Sequence, residues 1–341
     1  MADKDKSNNI GINALLGLLK KAGLDGFIIG LLGMILLAYL WPKGGVQNGY
    51  ISLAQIANYG VSLIFFFYGL RLNPEKLRAG LSNWRLHGVV HVSTFIVFPL
   101  IVLACKWVFD RNNNDIIWLG AFYLAALPST VSSSVVMVSI AKGNIPAAIF
   151  NASISSLFGV FITPLWMGLF LSTAGNDFQL WSVIGKLIIQ VLVPVILGIL
   201  LHAKFGGFAE KHRKSLRYFD QSIILLIVYT SFCESFDKHM FNGFSKLHIV
   251  EIGISMIVLF LLVFMLITMV SRMFNFSRED RITAVFCGSK KSLVHGTVMS
   301  KVLFPGSHLV GIILLPVMMY HALQLVAASI IAQRMAKHQK D

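Results

Sequence analysis

The sequence predicts an all-α polytopic membrane protein of ten transmembrane helices, arranged as two inverted five-helix repeats. Three observations carry that prediction. Hydrophobic residues make up 56% of the 341 residues and charged ones only 13%, against about 25% charge in a soluble domain. The apolar residues fall in blocks of roughly 20, the length that crosses a hydrocarbon core of about 30 Å. Basic residues crowd alternate loops, the pattern that separates the two sides of a membrane. A β-barrel is disfavoured, because barrel strands alternate polar and apolar residues and lack long apolar runs.

Taken in order, the first 25 residues show no cleavable-signal pattern. Their "ALLGLL" core is too short to span, so 9–24 reads as an amphipathic helix on the membrane surface. Spans follow at 26–41, 51–71, 86–109, 116–141, 144–172, 180–203, 219–236, 248–271, 282–303 and 308–332. The first is short and reads as tilted or shielded. Turn signals such as "WPKGG", "RLNPEKLRAG", "STAGND", "FNFSRED" and "FPGS" separate them, and "HAKFGGFAEKHRKSLR" reads as a basic loop. No linker is long enough for an appended soluble domain. The chain therefore divides into an N-terminal segment, 1–25, two five-span halves, 26–172 and 180–332, and a tail, 333–341.

The net charge of +14 would point to nucleic acid in a soluble protein. Here it follows from loop topology, and no nucleic-acid partner is expected. With the N-terminus inside, twenty of the 29 basic residues lie in cytoplasmic segments and seven outside, which puts both termini in the cytoplasm. The remaining two are Lys290 and Lys291, inside the ninth span. The three cysteines, Cys105, Cys233 and Cys287, have neither disulfide nor metal spacing.

Five spans per half is an odd number, so two like halves must be inverted relative to each other, as in many secondary transporters. The fourth span of the first half contains "LPSTVSSS", and the fourth of the second contains "CGSKKSLVHG". Eight residues follow each before the next turn, a rise of about 12 Å, so both polar interruptions fall near the midplane. Broken helices at that depth must be buried in protein or line a wet cavity, and matched breaks in two halves mark a transporter's binding site. Pro128 removes a backbone donor. Ser129, Thr130, Ser132, Ser133 and Ser134 offer hydroxyls to the freed backbone or to a solute. The alternative for such residues is simple helix packing, where serines and threonines are also common.

A lysine at the bilayer centre costs about 2.5–3.5 kcal/mol and usually faces a cavity. Lys290 and Lys291, with Ser289, Ser292 and His295, are therefore candidate substrate-binding residues; the bland reading is a lysine that snorkels or caps carbonyls. The acidic residues lie in loops, tails or near span ends, so the sequence favours an anionic solute over a carboxylate-rich cation site. Asn151 and Ser155 share a face of the fifth span and join the substrate-binding candidates. Ser153 and Ser156 lie on another face and, with Ser134, Lys290, Lys291 and His295, are candidates for ion coupling. His87 and His91 share a face of the third span without a third metal ligand. His321 and Gln324 read as pore-lining or packing.

"ALPSTVSSSVVMVSIAKGNIPAAIFNASISSLFGVFITP" and "CGSKKSLVHGTVMSKVLFPGSHLVGIILLPVMMYHALQLV" resemble the bile acid:sodium symporter superfamily, and within it the SBF-like branch of bacterial YfeH-type proteins. The resemblance implies a core domain in which the fourth and ninth helices unwind and cross, and a panel of the first, second, sixth and seventh helices. It implies a symporter-like carrier that moves a small organic anion between the two by alternating access, here in a bacterial inner (plasma) membrane. In sodium-coupled relatives the ninth helix supplies a glutamate and a glutamine to sodium. This chain reads "SKKSLVH" there, with no acid. The fourth-helix "SN" pair becomes Ser134 and Val135, and two fifth-helix hydroxyls become Ala148 and Ala152. A lysine ammonium is then the candidate for the charge a sodium ion would bring, with Na+ or H+ as the coupling ion. No other cofactor is implied. The competing readings are a channel or non-transporting membrane regulator, and an intramembrane hydrolase with a break serine activated by Lys290, Lys291 or His295.

Overall fold

The computed structural model describes residues 26–46, 52–72, 83–109, 115–173, 180–242, 245–304 and 307–337. Every regular element among them is a helix. The segment 9–24 expected on the membrane surface lies outside the described residues.

The first half contributes α1 (Gly26–Leu40), the short α2 (Lys43–Val46), α3 (Leu53–Arg71), α4 (Trp84–Phe109), α5 (Asp115–Ala126), α6 (Ser132–Ile140) and α7 (Ile145–Thr173). The second contributes α8 (180–200), α9 (His202–Lys211), α10 (Arg213–Asp237), α11 (Lys246–Met273), α12 (Arg278–Gly288), α13 (Leu293–Leu303) and α14 (Val310–Lys337). Helices occupy all ten expected segments. Among the described residues, five are long and apolar enough to cross a membrane alone: α3, α4, α7, α11 and α14. A sixth candidate is α8 with α9, bent by 98° where they join.

Local chemistry sets several helix starts. Ser52 and Gln55 form a reciprocal box at the start of α3, and Ser245 and His248 do the same for α11. Ser277 and Ser292 cap α12 and α13 by accepting from Asp280 N–H and His295 N–H.

The basic stretch after residue 201 differs from its expected loop. Residues 202–211 form a helix turned away from α8 because one face has an anchor. Gly206 and Ala209 are buried, Ala209 packs in a small cluster with Leu70 and Leu216, and His202 Nδ1 lies 2.7 Å from the Leu70 carbonyl. The charged face remains outside, as in an interfacial helix.

Two glycines set the spacing of α3 and α8. A Cβ on Gly69 would collide with the Val195 carbonyl, and one on Gly198 with the Phe66 carbonyl. The backbones touch there, as small residues allow in membrane helix pairs. Arg71 joins α3 to α10 through Asp220 at 2.8 Å.

Candidate functional site

The helix of the fourth expected span stops at Ala126 and resumes at Ser132, and that of the ninth stops at Gly288 and resumes at Leu293. The two interruptions lie against each other. Ser292 N–H donates to the Pro128 carbonyl at 2.9 Å. Ser129 hydroxyl donates to the Cys287 carbonyl at 2.6 Å, and Ser134 hydroxyl to the Phe286 carbonyl at 3.1 Å. Each break thus supplies donors for carbonyls that the other left without intrahelical partners.

Several of the other freed groups also have partners. Thr163 hydroxyl donates to the Ala126 carbonyl at 2.8 Å, and Ser155 hydroxyl accepts from Ser129 N–H at 3.0 Å. On the other break, Tyr320 donates to the Ser289 carbonyl, and just beyond it, within α13, the Gly296 carbonyl accepts from Tyr123, both at 2.6 Å. The Gln324 side chain accepts from Lys291 N–H at 2.9 Å and donates to its carbonyl at 2.8 Å. A primary amide imitates a strand partner there. Ser289 hydroxyl turns back to the Val285 carbonyl at 2.7 Å. Gly159 admits the Pro128 ring, since any Cβ there would overlap it. Such pairing is what irregular backbone needs when water is excluded.

Lys291 closes the arrangement. Its ammonium donates to the carbonyls of Thr94, Ala125 and Leu127 at 2.8, 2.6 and 2.8 Å, using all three protons. It also sits 4.2 Å from the centre of the Phe98 ring, a favourable place for a cation. The carbonyl at 125 belongs to the C-terminal turn of α5 and that at 127 follows directly, so the ammonium meets the negative end of the helix dipole. The carbonyl at 94 is free for a traceable reason. Residues Ser93–Val97 form a π-helical turn in which Phe98 N–H bonds Ser93 rather than Thr94. Pro99 follows and has no N–H to offer. It also frees the Phe95 carbonyl, which accepts from Trp166 at 2.7 Å.

The adjacent lysine is placed differently. Lys290 is fully buried, and its ammonium has no hydrogen-bond partner among the described residues. His295 is also buried. Its Nδ1 lies 2.9 Å from the Ser292 hydroxyl, while Nε2 has no partner among the described residues. The imidazole faces Phe65 and Tyr68 of α3, with ring centres 5.6 and 6.4 Å away.

The other sequence candidates divide. Thr130 bonds the hydroxyls of Ser133 and Ser134 at 2.8 and 2.9 Å, which keeps those three together at the start of α6. Ser132 is exposed on that helix. Ser155 joins the first break, but Asn151, one turn away, pairs with His87 Nδ1 at 3.1 Å and with the Ala147 carbonyl at 2.9 Å. Ser153 and Ser156 are buried. The Ser153 carbonyl accepts from Tyr68 at 3.3 Å and the Ser156 hydroxyl bonds the Ala152 carbonyl at 3.1 Å. Sequence reasoning missed Tyr123, Tyr320, Thr163 and the Thr94 carbonyl. A buried tyrosine needs a partner for its hydroxyl, and that was the available signal for the first two.

Residues 25–337 match the family described as the SBF-like CPA transporter family. "Putative symporter YfeH" of Escherichia coli (strain K12) is 35% identical over 311 residues, covering 91% of this chain and 92% of that protein. "Uncharacterized protein PA2026" of Pseudomonas aeruginosa is 40% identical over 317 residues, covering 93% and 94%. "Sodium/bile acid cotransporter 7-B" of Xenopus laevis is 32% identical over 326 residues, covering 93% of each chain.

Proposed function

The chain belongs to the SBF-like CPA transporter family, and from that premise we propose a secondary active carrier of an organic anion with a cation built into its site. The observation that carries this reading is the Lys291 ammonium, held by three carbonyl oxygens at 2.6–2.8 Å. Converging carbonyls at the end of a half-helix are the ligands that broken-helix transporters offer a coupling cation. Here a side chain of the protein fills the position permanently. Transport is then independent of sodium.

In this reading Lys291 organises the crossing and does not touch substrate. Lys290 and His295 serve the anion and the coupling proton, because each is buried with a polar atom lacking a partner among the described residues. The hydroxyls of Thr130, Ser133 and Ser134 and the N-terminus of α13, capped by Ser292, complete the anion site. His295 abuts Phe65 and Tyr68, so sliding α3 against the crossed helices alternately uncovers it. The halves 26–172 and 180–332 act as inverted repeats, the two broken helices count as crossings, and both termini face the cytoplasm of a bacterial inner membrane.

The test is uptake into proteoliposomes. Labelled taurocholate is the first probe of a panel of organic anions, chosen for the names of the animal relatives. The expected result is saturable uptake with counterflow, driven by a pH gradient, indifferent to exchanging sodium for potassium and lost in Lys290→Met. A channel would give flux without counterflow. A strict sodium requirement contradicts the reading.

A further inference from the structure

A second polar site lies at the end of the bundle, away from the crossing. The C-terminal turn of α11, the first turns of α12 and the end of α14 border a partly open cavity of about 150 Å³. Arg272, Arg278 and Arg281 line it, with Thr268, Ile282 and Met335 as further walls. A cavity of that size admits a group as large as benzene. Three guanidinium groups repel one another, so a compensating anion is the natural complement.

Among the described residues no acid provides it. Among the described residues none of the three arginines forms an ion pair with a carboxylate. Asp280, on the same helix, is occupied elsewhere: its two oxygens accept from Asn83 at 2.6 Å and from Asn144 at 2.9 Å. Glu279 is exposed. Arg278 donates to the Met335 carbonyl at 2.7 Å, which fixes one wall to the end of α14. The N-terminus of α12 adds a positive dipole end.

We propose that this cavity binds a phosphate ester, the headgroup of an anionic phospholipid. Arginine forks match tetrahedral phosphate oxygens, and several converging forks suit phosphate better than a single carboxylate. The lipid source follows from the surroundings. Met269 and Met273 are exposed on α11 and follow directly in sequence the lining residues Thr268 and Arg272, so acyl chains have an apolar face to follow while the headgroup sits among the arginines. Basic pockets between membrane helices bind anionic headgroups in this way. α12 runs from the cavity to the second break. The inference does not depend on the carrier reading, since it concerns only binding.

Thermal unfolding of the purified full chain in detergent tests it. The probes are dihexanoyl-phosphatidylglycerol, dihexanoyl-phosphatidylcholine and inorganic phosphate. Phosphatidylglycerol is expected to raise the midpoint while phosphatidylcholine does not. Its apparent affinity should fall at least roughly tenfold in Arg272→Gln/Arg281→Gln. Lys204→Gln/Lys214→Gln, on the other basic surface, should match wild type. If the double variant does not fold, exposed Arg272→Gln alone serves, with a smaller loss expected. Inorganic phosphate as effective as the lipid would overturn the lipid assignment while keeping the phosphate site. Equal responses to both lipids, or an unchanged response in the arginine variants, would overturn the site itself.

Discussion

Replacing Lys291 by alanine isolates the crossing from the rest of the protein. The substitution removes three charge-assisted bonds and leaves the carbonyls of Thr94, Ala125 and Leu127 without their donors. Each unsatisfied buried acceptor costs about 1–3 kcal/mol, so the gross loss is roughly 3–9 kcal/mol. The unfavourable burial of an ammonium, several kcal/mol, disappears with the side chain and offsets much of this. The net expectation is a destabilisation of about 3 kcal/mol, comparable with removing one partner of a buried charged pair. That corresponds to a fall of roughly 6 °C in unfolding midpoint, taking the low end of the usual scaling for larger chains. The vacated space has the shape of propylammonium, because alanine retains only Cβ. Propylammonium should restore at least half of the lost midpoint in the variant and do nothing to wild type. The assay is thermal unfolding of the detergent-solubilised protein across an amine titration. A variant within about 1 °C of wild type and blind to propylammonium would refute the argument that Lys291 holds the crossing.

Three further outcomes follow from the same geometry. Gln324→Leu strips partners from both the N–H and the carbonyl of Lys291 and should cost about 2–4 kcal/mol, read as a lower denaturation midpoint. Gly159→Val must displace the Pro128 ring; overpacking of this kind costs about 1–3 kcal/mol, and counterflow should be impaired beyond the stability loss. Lys290→Met removes a buried ammonium with no partner among the described residues. It should therefore leave stability unchanged or raise it while abolishing pH-driven uptake, a separation that unfolding and flux measurements on one preparation can check.

Part of this was legible in the sequence because it depends on short-range chemistry. Pro128 with its neighbouring hydroxyls, and two lysines in an apolar span, announce broken helices wherever they occur in lipid. The partners of Lys291 were not legible. One carbonyl is freed by a π-helical turn before Pro99, in a helix almost 200 positions away, and its availability depends on which of two carbonyls Phe98 N–H selects. Helical spacing groups Asn151 with Ser155, yet a 100° step around a helix does not say which neighbour stands opposite. His87 stands opposite the former and Ser129 the latter. In sequence, 202–211 reads as part of a loop because its charges and glycines dominate. Its few apolar contacts, made to α3 and α10, become visible only when those helices are in place. Length is no guide for α5, α6, α12 and α13, each too short to cross a membrane alone, where the sequence predicts single spans over 116–141 and 282–303.

The most direct measurement is the cation dependence of wild-type uptake, with equal ionic strength in sodium, potassium or choline. A resident ammonium predicts the same initial rate in all three, and sodium sensitivity emerging only in Lys291→Ala, where the carbonyl cage is vacant. Wild-type uptake that rises with sodium and stops in choline would show that a mobile ion does what is assigned here to Lys291.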